Sequence, residues 1–98
     1  MNTLKVSADL SGSEQSVDIL EVVTAAYAHV FAGVALTSDS DFFELGGDSI
    51  SALEVTLHLE KVLGWSVEPA LLIHHPRILD LAAALTSEWS KIQASRNV

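Results

Sequence analysis

Ser49 stands after Gly46, Gly47 and Asp48 and before Ile50, at the point where a helix-forming run begins. A serine so placed is exposed, sits on backbone that can be approached closely, and lies at the positive end of a helix dipole. Several chemistries use a serine or acids in such a setting, and most fail on spacing. A hydrolase nucleophile elbow needs Gly-x-Ser-x-Gly between a strand and a helix. Here Gly47-Asp48-Ser49-Ile50-Ser51 ends in serine, and Phe42-Phe43 is too short to be that strand. A phosphate-cradling loop needs a lysine after its glycines, and none follows. Asp39, Asp41, Glu44 and Asp48 miss the EF-hand order and read as solvated turn acids. His74 and His75 are adjacent, so they point different ways, and no carboxylate stands at ligand spacing; they predict no metal site. What remains is Ser49 as acceptor of a covalent modification. No histidine is local to the loop, so another enzyme must activate the hydroxyl, and no catalytic residue is expected in this chain. A phosphodiester on Ser49 would meet the unpaired N–H groups of the helix N-terminus. Gly46 and Gly47 are read as keeping the approach clear, and Asp48 as a helix cap whose charge meets a cation on the modifying enzyme. Taken alone, Gly-Gly-Asp-Ser reads first as an ordinary loop-to-helix junction.

The elements that position this stretch are helical. Val17, Leu20, Val23, Tyr27, Val30 and Phe31 recur at helical spacing from about Gln15, with Ser13 or Ser16 as the expected cap and Gly33 as the stop. Residues 34–47 hold no second helical period, only turn formers and scattered apolar residues, so an ordered loop packed over the core is expected. The second helix begins at Ser49 with Asp48 as N-cap and ends at Leu63, because Gly64 is a C′ glycine. Pro69 opens a brief turn over Ala70-Leu71-Leu72-Ile73, which His74-His75-Pro76 breaks. A final helix runs from about Arg77 to Glu88 or Trp89, with Ile78, Leu81, Ala82, Leu85 and Trp89 on one face. The expected architecture is all-α, a four-helix bundle of three longer helices and one short third helix. Residues 1–14 are expected to be a flexible lead-in, 15–89 the domain and 90–98 a flexible tail.

The second helix has two apolar faces. Ala52, Val55, Leu59, Val62 and Leu63 gather on one; Ile50, Leu53 and Leu57 gather nearly opposite. One face packs on the first helix. The other is either buried as well, in a helix that is central to the bundle, or a docking strip bordered by Glu54, His58 and Lys61.

Composition narrows the partners. The chain is 98 residues with 49% hydrophobic and 18% charged residues, which suits one small folded domain rather than a disordered chain. Thirteen Asp+Glu against five Lys+Arg give a net charge of −8. Such a surface repels phosphate backbones, so no nucleic-acid partner is expected, and proteins with basic patches are the natural complement. The absence of cysteine removes disulfides, thiolate nucleophiles and Cys-based zinc. Neither a signal peptide nor a membrane span is read, and a cytoplasmic monomer is expected.

Asp41-Phe42-Phe43-Glu44-Leu45-Gly46-Gly47-Asp48-Ser49-Ile50 resembles the D-x-F-F-x-L-G-G-x-S-[LI] signature of thiolation domains, the peptidyl carriers of nonribosomal peptide synthetases. They are relatives of acyl carrier proteins. Asp41 directly precedes the aromatics, whereas the family's usual acid lies a position earlier. His75-Pro76-Arg77-Ile78 and Leu81-Ala82-Ala83-Ala84-Leu85 are similar to the family's H-P-x-[LI] turn and final helix. The likeness covers Val17 to Trp89. It implies a non-catalytic carrier with 4′-phosphopantetheine attached covalently to Ser49 by a phosphopantetheinyl transferase, the magnesium being held mainly by that enzyme. The arm's thiol would hold an aminoacyl or peptidyl thioester for adenylation, condensation or tailoring enzymes. Gly47 and Asp48 would flank the arm. Partners would dock on Ile50, Leu53 and Leu57, on Phe42 and Phe43, of which at least one is expected to anchor the loop in the core, and on Leu71 and Leu72. Position 48 is Asp where many peptidyl carriers have His. An acyl carrier of the polyketide or fatty-acid type, and an unmodified helical interaction module, are the alternatives.

Overall fold

The computed structural model describes residues 18–96, and the expectations for residues 1–17 lie outside them. Four helices follow in order: α1 (Ile19–Val30), α2 (Ser49–Leu63), α3 (Pro69–His74) and α4 (Ile78–Arg96). No strand occurs among the described residues; a lone antiparallel bridge joins Asp41 to Arg77.

Asp18 caps α1, its carboxylate accepting the Glu21 N–H at 3.3 Å, where Ser13 or Ser16 was expected. The helix ends at Val30, and the Phe31 N–H closes the last turn on the Tyr27 carbonyl. Gly33, at φ +85°, turns the chain just beyond. Asp48 and Gly64 bound α2 as expected: Gly64 is left-handed, and its N–H reaches the Glu60 carbonyl at 2.8 Å. The Glu60 carboxylate then accepts from the Val67 N–H at 2.8 Å, which seats Val67 in the core.

The bundle packs α1 against α2 and α4, with α3 bridging α2 and α4. Val23, Ala26 and Tyr27 of α1 meet Ala52, Val55 and Leu59 of α2 and Ile78, Leu81 and Leu85 of α4, all buried. Each large side chain so buried contributes about 1.5–3 kcal/mol. Val62, expected on the core face of α2, is instead half exposed. Helical periodicity gives a direction around the axis, but not whether another element lies over that end of α2. Thr56 is buried among the apolar residues and satisfies its hydroxyl on the Leu53 carbonyl at 3.1 Å.

The final helix continues to Arg96, past the expected end at Glu88 or Trp89. After Trp89 the apolar period fades, yet Lys91, Gln93, Ala94 and Arg96 are good helix formers and no Gly or Pro interrupts them. Trp89 also stacks on Trp65, with ring centres 6.0 Å apart. These rings, with Ile19, Leu20, Leu63 and Leu79, line an apolar groove of about 650 Å³.

Candidate functional site

The loop before α2 is tied down at several points. Asp41 takes an Asx-turn role: its carboxylate accepts the Phe43 N–H at 2.8 Å and the Glu44 N–H at 3.1 Å. The backbone then winds through Leu45 N–H to Asp41 C=O, Gly46 N–H to Phe43 C=O and Gly47 N–H to Phe42 C=O, each 3.0 Å. The acid that departs from the family's usual position therefore organises the turn that carries the aromatics. The loop's other edge lies on the start of α4. Phe42 N–H donates to the Pro76 carbonyl at 2.9 Å, and Ile78 and Leu79 N–H donate to Ser40 and Ser38 carbonyls at 3.0 Å each. Tyr27 of α1 donates its hydroxyl to the same Pro76 carbonyl at 2.7 Å. Burial, with the charge of Asp41 as a lesser cause, pushes the Tyr27 hydroxyl well above its ordinary pKa and keeps it a donor. Arg77 meets Asp39 at 2.6 Å across an exposed surface.

Phe42 and Phe43 part company. Phe42 is fully buried, edge-on to Tyr27 and Phe31 at ring separations of 6.0 and 5.6 Å. Its place among docking residues is corrected: it is the loop's anchor. Phe43 is 48% exposed and stays available. Gly47 owes its lack of side chain to Phe42, because a Cβ there would fall 2.5 and 2.6 Å from Cε2 and Cε1 of the ring and closer still to Cζ. Seating this anchor is a reason for glycine at 47 besides the clear approach to Ser49 expected from sequence. Gly46 has a different reason, a φ of +94° that side chains rarely adopt.

Ser49 is the first residue of α2 and is exposed. The Asp48 carboxylate does not engage it. One oxygen of Asp48, Oδ1, accepts both the Ser51 N–H at 2.9 Å and the Ser51 Oγ–H at 3.0 Å. These bonds, the backbone one first, hold the Asp48 carboxyl below its ordinary pKa, so it is a carboxylate at neutral pH. Ser51 is not among the site residues expected from sequence, since the capping-box pattern has Ser or Thr at the cap and Glu or Gln three residues on, the reverse of Asp48 and Ser51.

Beyond Ser49 the outer face of α2 is open. Ile50 is 70%, Leu53 50% and Leu57 51% exposed, so α2 is not buried all round. In α3, Leu72 is fully buried and Leu71 half-buried. Leu72 is thus corrected from docking residue to core, since a helix this short must put its one inward side chain under the bundle to stay attached. No group of three potential metal ligands occurs among the described residues.

Comparison with known proteins bears on what this arrangement is. Residues 18–85 match the family described as "Phosphopantetheine attachment site". The chain is 47% identical over 60 residues to a plipastatin synthase component of Bacillus subtilis (strain 168), an alignment covering 60% of this chain and 2% of that protein. It is 31% identical over 78 residues to a linear gramicidin synthase component of Brevibacillus parabrevis, covering 80% and 2% respectively. The chain thus spans about 2% of the length of these relatives. Among solved structures, a "Non Ribosomal PCP domain" superposes with a TM-score of 0.60 at 32% identity, covering 69% of this chain and 87% of that one. BlmI, a type-II acyl-carrier-protein from Streptomyces verticillus, superposes at 0.70 over 84% of this chain and 99% of its own; at 17% identity it attests the fold alone. The chain belongs to the phosphopantetheine attachment family, whose members carry covalent 4′-phosphopantetheine, and within it to the peptidyl carrier domains.

Proposed function

We propose that Ser49 is the residue of this peptidyl carrier that takes the 4′-phosphopantetheine group, transferred from coenzyme A by a phosphopantetheinyl transferase. The observation that carries it is the setting of Ser49: an exposed hydroxyl, unengaged by its neighbour, opening a 15-residue helix. The N–H groups of that first turn favour an anion such as a phosphodiester. Once attached, the group supplies a thiol that holds an aminoacyl or peptidyl intermediate as a thioester. Everything else falls to the protein's own residues. Asp48 caps α2, Gly46 and Gly47 shape the loop, and Phe42 fixes it to the core.

Ile50, Leu53, Leu57 and Phe43 would form the surface that adenylation, condensation or tailoring enzymes recognise, with Leu71 at its margin. Apolar strips rimmed by polar residues mark such docking surfaces. The chain's role is that of a non-catalytic monomeric substrate of these enzymes, working in the cytoplasm. No helix among the described residues is long and apolar enough to cross a membrane.

The test is incubation with a promiscuous phosphopantetheinyl transferase and coenzyme A, read by intact-protein mass spectrometry. One phosphopantetheinyl group is expected on the wild type and none on Ser49→Ala. No gain on the wild type, or a gain that persists in Ser49→Ala, refutes the assignment.

A further inference from the structure

We infer that Ser51 is a positioning residue for the modification of Ser49, acting by fixing how the Asp48 carboxylate is presented to the modifying enzyme. The inference rests on Ser49 being the attachment point. Its basis is an asymmetry in the two oxygens of Asp48. Oδ1 accepts two hydrogen bonds from one residue, the Ser51 N–H at 2.9 Å and its hydroxyl at 3.0 Å. The Ile50 N–H and Asp48's own N–H act on the carboxylate only as lesser donors, and Asp48 takes part in no ion pair among the described residues.

An ordinary N-cap uses one backbone N–H and leaves the carboxylate free to rotate about its last torsion, which is broad for an aspartate. The second donation, from the Ser51 hydroxyl to the same Oδ1, restrains that freedom further. Oδ2 is then held as an exposed acceptor one residue from the Ser49 hydroxyl. Among the described residues no cation pairs with Asp48. A fixed, unpaired carboxylate oxygen beside an acceptor hydroxyl is suited to a cation presented by the transferase, whether a basic side chain or its divalent metal ion. A preset orientation lowers the ordering cost of that contact, so the effect falls on recognition of the carrier rather than on the chemical step.

The variant pair Ser51→Thr and Ser51→Val separates the hydroxyl from the shape of the side chain, since both are β-branched and nearly isosteric. Any cost of that shape to the helix is shared between them. Loading by a promiscuous phosphopantetheinyl transferase with coenzyme A is followed as a function of carrier concentration. Ser51→Val should lower kcat/KM relative to Ser51→Thr by about threefold to tenfold, the effect of one ordinary solvent-exposed hydrogen bond. The loss should lie in KM with kcat little changed. Ser51→Val combined with Asp48→Asn should be no slower than Asp48→Asn alone, because the hydroxyl acts only through the carboxylate. The acid limb of kcat/KM should also move to higher pH in Ser51→Val, since one of the bonds holding the carboxyl down is gone. Equal kcat/KM for the two variants, or multiplicative losses in the double variant, would overturn the inference. Failure of the wild type to load at all refutes the Ser49 assignment instead, so the two failures are distinguishable.

Discussion

Gly47→Ala is a one-methyl change with a defined collision. The new Cβ would fall within 2.6 Å of Cε1 and Cε2 of Phe42, and closest to Cζ. Ring edges cannot yield as the tip of a lysine would. Phe42 is fully buried and wedged edge-on against Tyr27, Phe31 and Phe43, at ring separations of 6.0, 5.6 and 5.4 Å. Its backbone is pinned as well, by the N–H bond to Pro76 at 2.9 Å and the carbonyl bond from Gly47 at 3.0 Å. Inserting a methylene-sized group into such a site costs about 1–3 kcal/mol. At roughly 4–8 °C per kcal/mol for a domain of this size, a cost near the middle of that range lowers Tm by about 10 °C. Thermal and urea unfolding, followed by far-UV circular dichroism, measure it. The cause is tested by coupling. Gly47→Ala should be less damaging in a Phe42→Leu background than in the wild type, with an interaction of about 0.5–3 kcal/mol. Gly46→Ala is the control, because nothing lies within 4 Å of its Cβ and its cost is the +94° φ, which Phe42→Leu cannot relieve. A Gly47→Ala protein with wild-type Tm, or a loss indifferent to residue 42, would refute the steric account.

Three further outcomes are expected. Tyr27→Phe removes the hydroxyl that donates to Pro76 and should cost about 1 kcal/mol by urea unfolding at pH 7. It should also flatten the alkaline limb: with its folded pKa raised, Tyr27 favours the native state below about pH 10 and loses that favour as pH rises beyond it, a loss the Phe variant lacks. Leu53→Asp and Leu57→Asp should change stability by no more than about 0.5 kcal/mol, as both side chains are half exposed. In single-turnover assays with a cognate adenylation enzyme the same variants should load amino acid at least roughly tenfold more slowly, the scale of one lost anchor residue. Arg77→Gln should lower Tm by less than Tyr27→Phe does, because its pairing with Asp39 is exposed to solvent.

The features that sequence conveys well are those written in local chemistry. Asp48 and Gly64 bound α2 because a capping acid and a left-handed glycine act within one turn of where they stand. The open strip of Ile50, Leu53 and Leu57 is one of two outcomes that periodicity allows, and the choice depends on which elements pack beside α2, which no period contains. Phe42 and Phe43 cannot be told apart from sequence because a loop has no fixed period to assign faces. Their separation depends on Asp41, whose carboxylate sets the turn, and on Pro76, distant in sequence. Leu72 is misplaced for a related reason: α3 has only six residues, too few for a pattern to show which of its leucines points inward. The double use of Asp48 by Ser51 is consistent with their spacing, but a serine at that place is also an ordinary helix residue.

The Pro76 carbonyl has a consequence for how a carrier can move. It accepts from both the Phe42 N–H and the Tyr27 hydroxyl, filling both of its lone pairs with groups from α1 and from the loop. Pro76 itself leads directly into α4. The stretch that presents Ser49 is therefore riveted to the first and last helices at one atom, and it cannot swing while those helices stay packed. On the function proposed above, any travel between enzymes would then be supplied elsewhere, by rotation of the bundle as a rigid body or by the torsions of the attached arm. The protein acts as the fixed end of a crane, and amide exchange at Phe42 should be as slow as in the middle of the helices.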